Sequence, residues 1–188
     1  MSKKPFRSYT ERALSDTEYK RMLEKAPSFE DEVMLRLGVE LGLRRYDLSK
    51  LQVKDVRIDV EPHVMYFYEF KKKRIRSLPL NNELSAILKR FLNSIPKRDF
   101  LFAWGDGSDK TAYNHLQKIA TLAGVKTPLP FHALRGTCYK RKKDQKWSIE
   151  QAAAWLGDDV RTAMEHYGVV SEGELRDLVK RGDAGCLK

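Results

Sequence analysis

His132 and Arg135 lie three positions apart in the segment Pro128-Leu129-Pro130-Phe131-His132-Ala133-Leu134-Arg135-Gly136-Thr137, which reads as a helix entered from prolines. Positions i and i+3 share a helix face, so an imidazole and a guanidinium stand side by side while Ala133 and Leu134 turn elsewhere. That pair suits an anion. Arg binds phosphate through a planar fork, and His moves protons near neutral pH. A helix with one basic face and a buried histidine has the same pattern, so other parts of the chain must decide. Bulk charge points the same way: 36 Lys and Arg against 26 Asp and Glu give +10, an excess that favours a polyanion through counterion release. Lys71 to Arg76 holds five basic residues in six, and Lys140 to Lys146 five in seven. These runs make Lys72, Lys73, Arg74, Arg76, Lys140, Arg141, Lys142 and Lys143 candidates for contact with a nucleic-acid backbone.

Three further stretches extend the pattern. Leu41-Gly42-Leu43-Arg44-Arg45-Tyr46-Asp47-Leu48-Ser49-Lys50-Leu51 and Lys71-Lys72-Lys73-Arg74-Ile75-Arg76-Ser77-Leu78-Pro79-Leu80 precede the His132 segment. Trp155-Leu156-Gly157-Asp158-Asp159-Val160-Arg161-Thr162-Ala163-Met164-Glu165-His166-Tyr167 follows it. From Arg12 to Tyr167 the ordered set resembles the catalytic domain of the tyrosine recombinase family (phage integrases and Xer-type enzymes). The family pattern is Gly-Leu-Arg, a hairpin Lys, His-x-Leu-Arg, Leu-Gly-His/Trp and a late Tyr.

The resemblance implies an enzyme that cuts and rejoins strands of double-stranded DNA through a 3′-phosphotyrosine, with no metal, nucleotide or other cofactor. It also implies a tetramer on paired DNA sites, with a free monomer compatible. A tyrosine hydroxyl is only about 0.1% ionised at pH 7, so it needs cations on the phosphate, a proton acceptor for the phenol and a proton donor for the leaving oxygen. By resemblance, Arg44 and Arg135 clamp the phosphate, Lys71 protonates the leaving 5′ oxygen, His132 assists proton movement and Tyr167 attacks. Arg45 is the alternative to Arg44. Lys72 and Lys73 are the alternatives to Lys71, which is set by its ungapped distance to Pro79. Asp47 falls where the family carries an acidic brace for Arg44 or His132, although a solvated aspartate at a helix start reads the same way. Two other functions share this pattern: a DNA-binding accessory protein with weakened chemistry, and a type IB topoisomerase.

One position departs from the family. Asp158 stands where His or Trp donates a hydrogen bond to the phosphate, and an ionised carboxylate cannot donate. Either Asp158 turns away and braces an arginine, or it weakens catalysis, or Trp155 substitutes for it.

The elements that must position these groups suggest an α+β fold, mostly helical, with a small antiparallel three-stranded sheet on one edge. Ser15-Asp16-Thr17-Glu18 reads as a capping box for a helix to Ala26, and a second helix spans Phe29 to Leu41. Gly42 permits a sharp exit, leaving Arg44 before a helix from Tyr46 to Leu51. Val56 to Val60, Val64 to Phe70 and Ile75 to Leu80 read as strands, with Lys71 to Lys73 on the second turn. Helices follow from Asn81-Asn82-Glu83 to Leu92, from Asp109 to Ala123, from His132 to Asp144, from Ser148 to Gly157 and from Arg161 to Tyr167.

Residues 1–11 read as a basic arm, and residues 12–188 as a single domain. The family grips the far side of the duplex with an N-terminal helical domain that this stretch is not expected to contain, so its DNA binding is expected to be weak and salt-sensitive. Within 171–188, the pattern reads as a helix from Ser171 to Arg181 that would set Leu175, Leu178 and Val179 on one side, either over its own core or against a neighbouring protomer. No apolar run nears the ~20 residues a bilayer demands and no signal peptide opens the chain, which places the protein inside a cell and off the membrane. Cys138 and Cys186 read as free thiols, and His63, His115 and His166 as structural or surface groups. Gly105-Asp106-Gly107-Ser108 lacks the Gly-Lys-Ser/Thr of a nucleotide loop.

Overall fold

The computed structural model describes residues 12–105 and 109–167. In chain order its helices are α1 (Asp16–Glu24), α2 (Phe29–Arg36), α3 (Arg45–Ser49), α4 (Asn82–Ser94), α5 (Asp109–Leu122), α6 (His132–Asp144), α7 (Ile149–Leu156) and α8 (Val160–Tyr167). Polar side chains set most of their starts. The Ser15 hydroxyl accepts from the Glu18 N–H at 3.2 Å while the Glu18 carboxylate accepts from the Ser15 N–H at 2.8 Å, the reciprocal box expected for α1. Ser148 and Gln151 repeat it at α7, and Asn81 caps α4 by accepting from the Leu84 N–H at 2.7 Å.

The helix expected to run unbroken from Phe29 to Leu41 changes its winding. After Arg36 it opens into a π-helical segment, Leu37–Leu41, which Gly42 ends in a left-handed conformation with φ 66°. Close packing marks that segment: a Cβ on Gly38 would stand 2.6 Å from Leu134 Cδ1 of α6. The same apolar positions fit either winding, so the sequence periodicity does not separate them.

The antiparallel sheet has the order β1-β2-β3, with β1 Val56–Arg57, β2 Val64–Glu69 and β3 Arg74–Pro79. β1 is shorter than the expected Val56 to Val60. Its partner strand only begins at Val64, so pairing stops at Arg57↔Val64 and Val60 is left exposed. Alternation along β2 buries Met65, Phe67 and Glu69 and exposes Tyr66 and Tyr68. A 3-10 turn, Phe70–Lys72, then leads to Lys73 in the left-handed region, which sets Lys71, Lys72 and Lys73 on an exposed tip.

Apolar burial joins these parts. α4 contributes Leu84, Ile87, Leu88 and Phe91 to a core shared with Val33, Met34 and Leu35 of α2 and Leu116 and Ile119 of α5. Each such side chain contributes roughly 1.5–3 kcal/mol by leaving water. A second cluster links α6, α7 and α8 through Cys138, Tyr139, Ala152, Ala153, Leu156 and Ala163. α6 belongs to both, with Ala133 and Leu134 in the first and Cys138 and Tyr139 in the second. Arg135 lies between the two anchored ends. The arm at 1–11, the loop residues 106–108, the Ser171 to Arg181 helix and Cys186 lie outside the described residues. No described helix is long and apolar enough to cross a membrane.

Candidate active site

Arg135 emerges from α6 one turn after His132 and is almost wholly buried, at 4% exposure. Such a cation needs acceptors on every side. One terminal nitrogen donates to the Gly42 carbonyl at 2.6 Å; the other donates to the Leu156 carbonyl at 2.7 Å and to Asp158 Oδ2 at 2.7 Å. Gly42 is required twice over. Its φ of 66° suits glycine, and a Cβ there would lie 2.3 Å from Leu156 Cδ2 and 3.2 Å from Cys138 Sγ.

Arg44 comes from another part of the chain, as the residue before α3. It donates to Asp158 Oδ1 at 2.8 Å and to Glu69, and its guanidinium stands 3.9 Å from Asp47 Oδ2. Arg44 and Arg135 thus meet on the two oxygens of one carboxylate. Arg45 instead places its guanidinium over the Tyr113 ring, 5.9 Å from the centroid.

Asp158 therefore does not turn away from the site; it bridges both arginines. Trp155 is committed elsewhere, with its indole N–H donating to the Glu40 carbonyl at 3.2 Å. Asp47 is buried, and its Oδ1 accepts from the Phe70 N–H at 3.1 Å, which ties the start of α3 to the end of β2. Burial pushes the Asp47 carboxyl up, against the pull of that N–H and of Arg44.

Glu69 is a member of this cluster that the sequence reading passed over. It is fully buried and is held by Arg44, by Arg74 Nε at 2.9 Å and, more loosely, by Arg76 Nε at 4.0 Å. Burial alone would raise its carboxyl, but hydrogen bonds from Arg74 and Arg44 outweigh that and hold it below the usual value. A signal for it exists in the sequence: Met65, Phe67 and Glu69 share the inward phase of β2.

His132 reaches the surface at the start of α6. Desolvation by the surrounding protein, then the charges of Arg135, Arg44 and Arg45, lower its pKa, while Asp158 pulls the other way. At neutral pH the ring is therefore uncharged and able to accept a proton. Lys71, Lys72 and Lys73 are exposed at the hairpin tip. Tyr167 is the last residue of α8, and its side chain lies outside the described part of the structure.

Several of the backbone-contact candidates are used inside the protein. Arg76 donates to the carbonyls of Ala154, Trp155 and Leu156 at 2.9–3.2 Å, where a cation at the C-terminus of α7 is favourable. Gly157 gives it room, since a Cβ there would fall 2.3 Å from Arg76. Lys142 sits over the rings of Trp147 and Trp155, at 4.1 and 3.9 Å. Arg141 covers Tyr19 at 4.5 Å and pairs with Asp16 at 3.1 Å. Lys140 is exposed and Lys143 partly so. Cys138 is buried and its thiol is pushed up to about 12, which leaves it unreactive at neutral pH.

Tyrosine recombinase XerA of Saccharolobus solfataricus is 26% identical over 126 residues, which are 67% of this chain and 41% of XerA. The chain thus spans about two fifths of that relative's length. A crystal structure of XerA recombinase has a TM-score of 0.74 at 21% identity, over 90% of this chain and 63% of that one. The XerH site-specific recombinase in a pre-cleavage complex with its difH substrate gives 0.69 at 18% identity, over 89% and 53%. The catalytic domain of bacteriophage HP1 integrase gives 0.65 at 21% identity, over 89% and 93%. These likenesses identify the fold as that of the tyrosine recombinase catalytic domain. The profile of the phage integrase family covers residues 12–172, most of the 188, and the chain belongs to that family.

Proposed function

We propose that this chain carries the catalytic unit of a site-specific DNA recombinase or integrase, which cuts and rejoins strands through a 3′-phosphotyrosine. The observation that supports the reading most is the meeting of Arg44 and Arg135, about ninety positions apart in sequence, on one negatively charged group. Two guanidiniums so placed suit the non-bridging oxygens of a phosphodiester and the charge that grows on them in the transition state.

In the proposed reaction the Tyr167 phenol oxygen bonds to phosphorus as the bond from phosphorus to the 5′ oxygen breaks. His132, uncharged at neutral pH, takes the phenol proton, and Lys71 supplies a proton to the 5′ oxygen. One phosphoester bond forms for each one broken, so a second 5′ hydroxyl reverses the step and reseals the strand. XerH, which shares the fold, is known in complex with its difH substrate before and after cleavage. By analogy the partner here is double-stranded DNA, contacted by Lys72, Lys73, Lys140 and Lys143 and, on paired sites, by a tetramer inside the cell.

The test is incubation with nicked duplexes of randomised core sequence. A covalent protein–DNA adduct that is lost in Tyr167→Phe supports the reading. Absence of an adduct across the whole library, with DNA still bound, points instead to an accessory binder with weakened chemistry, a reading that the carboxylate at Asp158 favours.

A further inference from the structure

The two oxygens of Asp158 sit on one carbon and each takes one guanidinium, Arg44 at 2.8 Å and Arg135 at 2.7 Å. A phosphodiester offers the same layout, with two charged oxygens on one phosphorus and a single negative charge overall. We propose that Asp158 is an internal counter-anion seated where the substrate phosphate must bind, and that the phosphate displaces it. The inference rests on reading the arginine pair as a phosphate clamp.

Three observations carry it. First, the two carboxylates of the cluster differ in how they are held. Glu69 is fully buried within a strand, whereas the Asp158 side chain keeps 11% exposure and sits on the turn between α7 and α8. One is a fixture and the other has a way out. Second, neither arginine is orphaned when Asp158 leaves. Arg135 keeps the Gly42 and Leu156 carbonyls, and Arg44 keeps Glu69. Third, the Asp158 carboxylate is not part of the cap of α8, a task done by Asp159 through the Thr162 N–H and hydroxyl, both at 2.8 Å. Its side chain instead ties the start of the helix that carries Tyr167 to the clamp. An arriving phosphate thus takes over both guanidiniums and releases that end of α8 in the same event.

The experiment compares the full chain with Asp158→Asn, which keeps the shape and removes the charge, and with Asp158→Ser in case the first variant does not fold. Inorganic phosphate is titrated by calorimetry at low ionic strength. The charge-free variants are expected to bind it at least about tenfold more tightly, because no carboxylate competes for the charge-assisted hydrogen bonds. Asp158→Glu, which keeps the competitor, is expected to stay near wild type. Hydrogen exchange across α8 is expected to be faster in Asp158→Asn alone than in wild type alone, and to become equal once phosphate saturates both. Equal phosphate affinity of wild type and the charge-free variants overturns the proposal, even if the protein cuts DNA. Tighter binding upholds it even if neither protein forms an adduct, an outcome that removes the strand-transfer reading alone.

Discussion

The two halves of the site are built in opposite ways. The guanidinium half is shielded from solvent, Arg135 almost wholly and Arg44 and Arg76 in part, and is held several times over. Arg135 is fixed by two carbonyls and a carboxylate, Arg44 by two carboxylates, and Arg76 by the three carbonyls that end α7. The hairpin half shows Lys71, Lys72 and Lys73 to solvent on a short turn. Stabilising charge on a phosphate demands dipoles and cations that are already in place, whereas delivering a proton demands reach. On the proposed reading, stability and function are thus inseparable in the first half and separable in the second.

That contrast can be broken by measurement, in order of expected cost to the fold. Glu69→Ala strips a buried partner from Arg44 and Arg74 and should cost about 3–5 kcal/mol, lowering Tm by roughly 10 °C. A thermal melt within 3 °C of wild type, in a protein of ordinary cooperativity, would erase the distinction between the halves. Gly42→Ala strains a left-handed position and pushes on Leu156, for a loss of about 1–3 kcal/mol in urea melts. Because the Gly42 carbonyl holds Arg135, adduct formation should fall with it.

Smaller effects sharpen the comparison. The His132 pKa lies below the unfolded value of about 6.5, so under acid the unfolded chain binds a proton that the folded chain refuses. Stability should therefore drop as pH falls below about 6.5, and His132→Gln should remove that component of the slope. At the tip, Lys71→Ala, Lys72→Ala and Lys73→Ala should each stay within about 0.5 kcal/mol of wild type. Lys71→Ala alone should slow adduct formation, by about 100-fold. A substrate whose leaving oxygen is replaced by sulfur needs no proton and should restore its rate; equal losses at all three lysines would show that the tip supplies only charge.

Much of this was legible from local chemistry. Ser15, Asn81 and Ser148 announce their helices because a cap is a contact between near neighbours. The inward phase of Met65 and Phe67 follows from strand alternation. What stayed hidden depends on distant partners. The π-helical segment needs the approach of α6 at Leu134, and the length of β1 is set by where β2 starts. Bracing of an arginine was one of three readings open for Asp158, but that it takes both at once depends on their convergence from distant parts of the chain. Arg76 and Lys142 read as surface charge because carbonyls and indoles carry no charge pattern to announce that they will take up a cation.

The pair of indoles around Lys142 also gives the protein a built-in optical gauge. Trp147 and Trp155 lie edge to face with ring centroids 5.5 Å apart, and Trp155 belongs to the helix that ends just before Asp158. Indoles that close couple their near-ultraviolet transitions. A tilt of α7 should therefore appear in circular dichroism and in emission, with no dye attached, against the background of the third indole at Trp104.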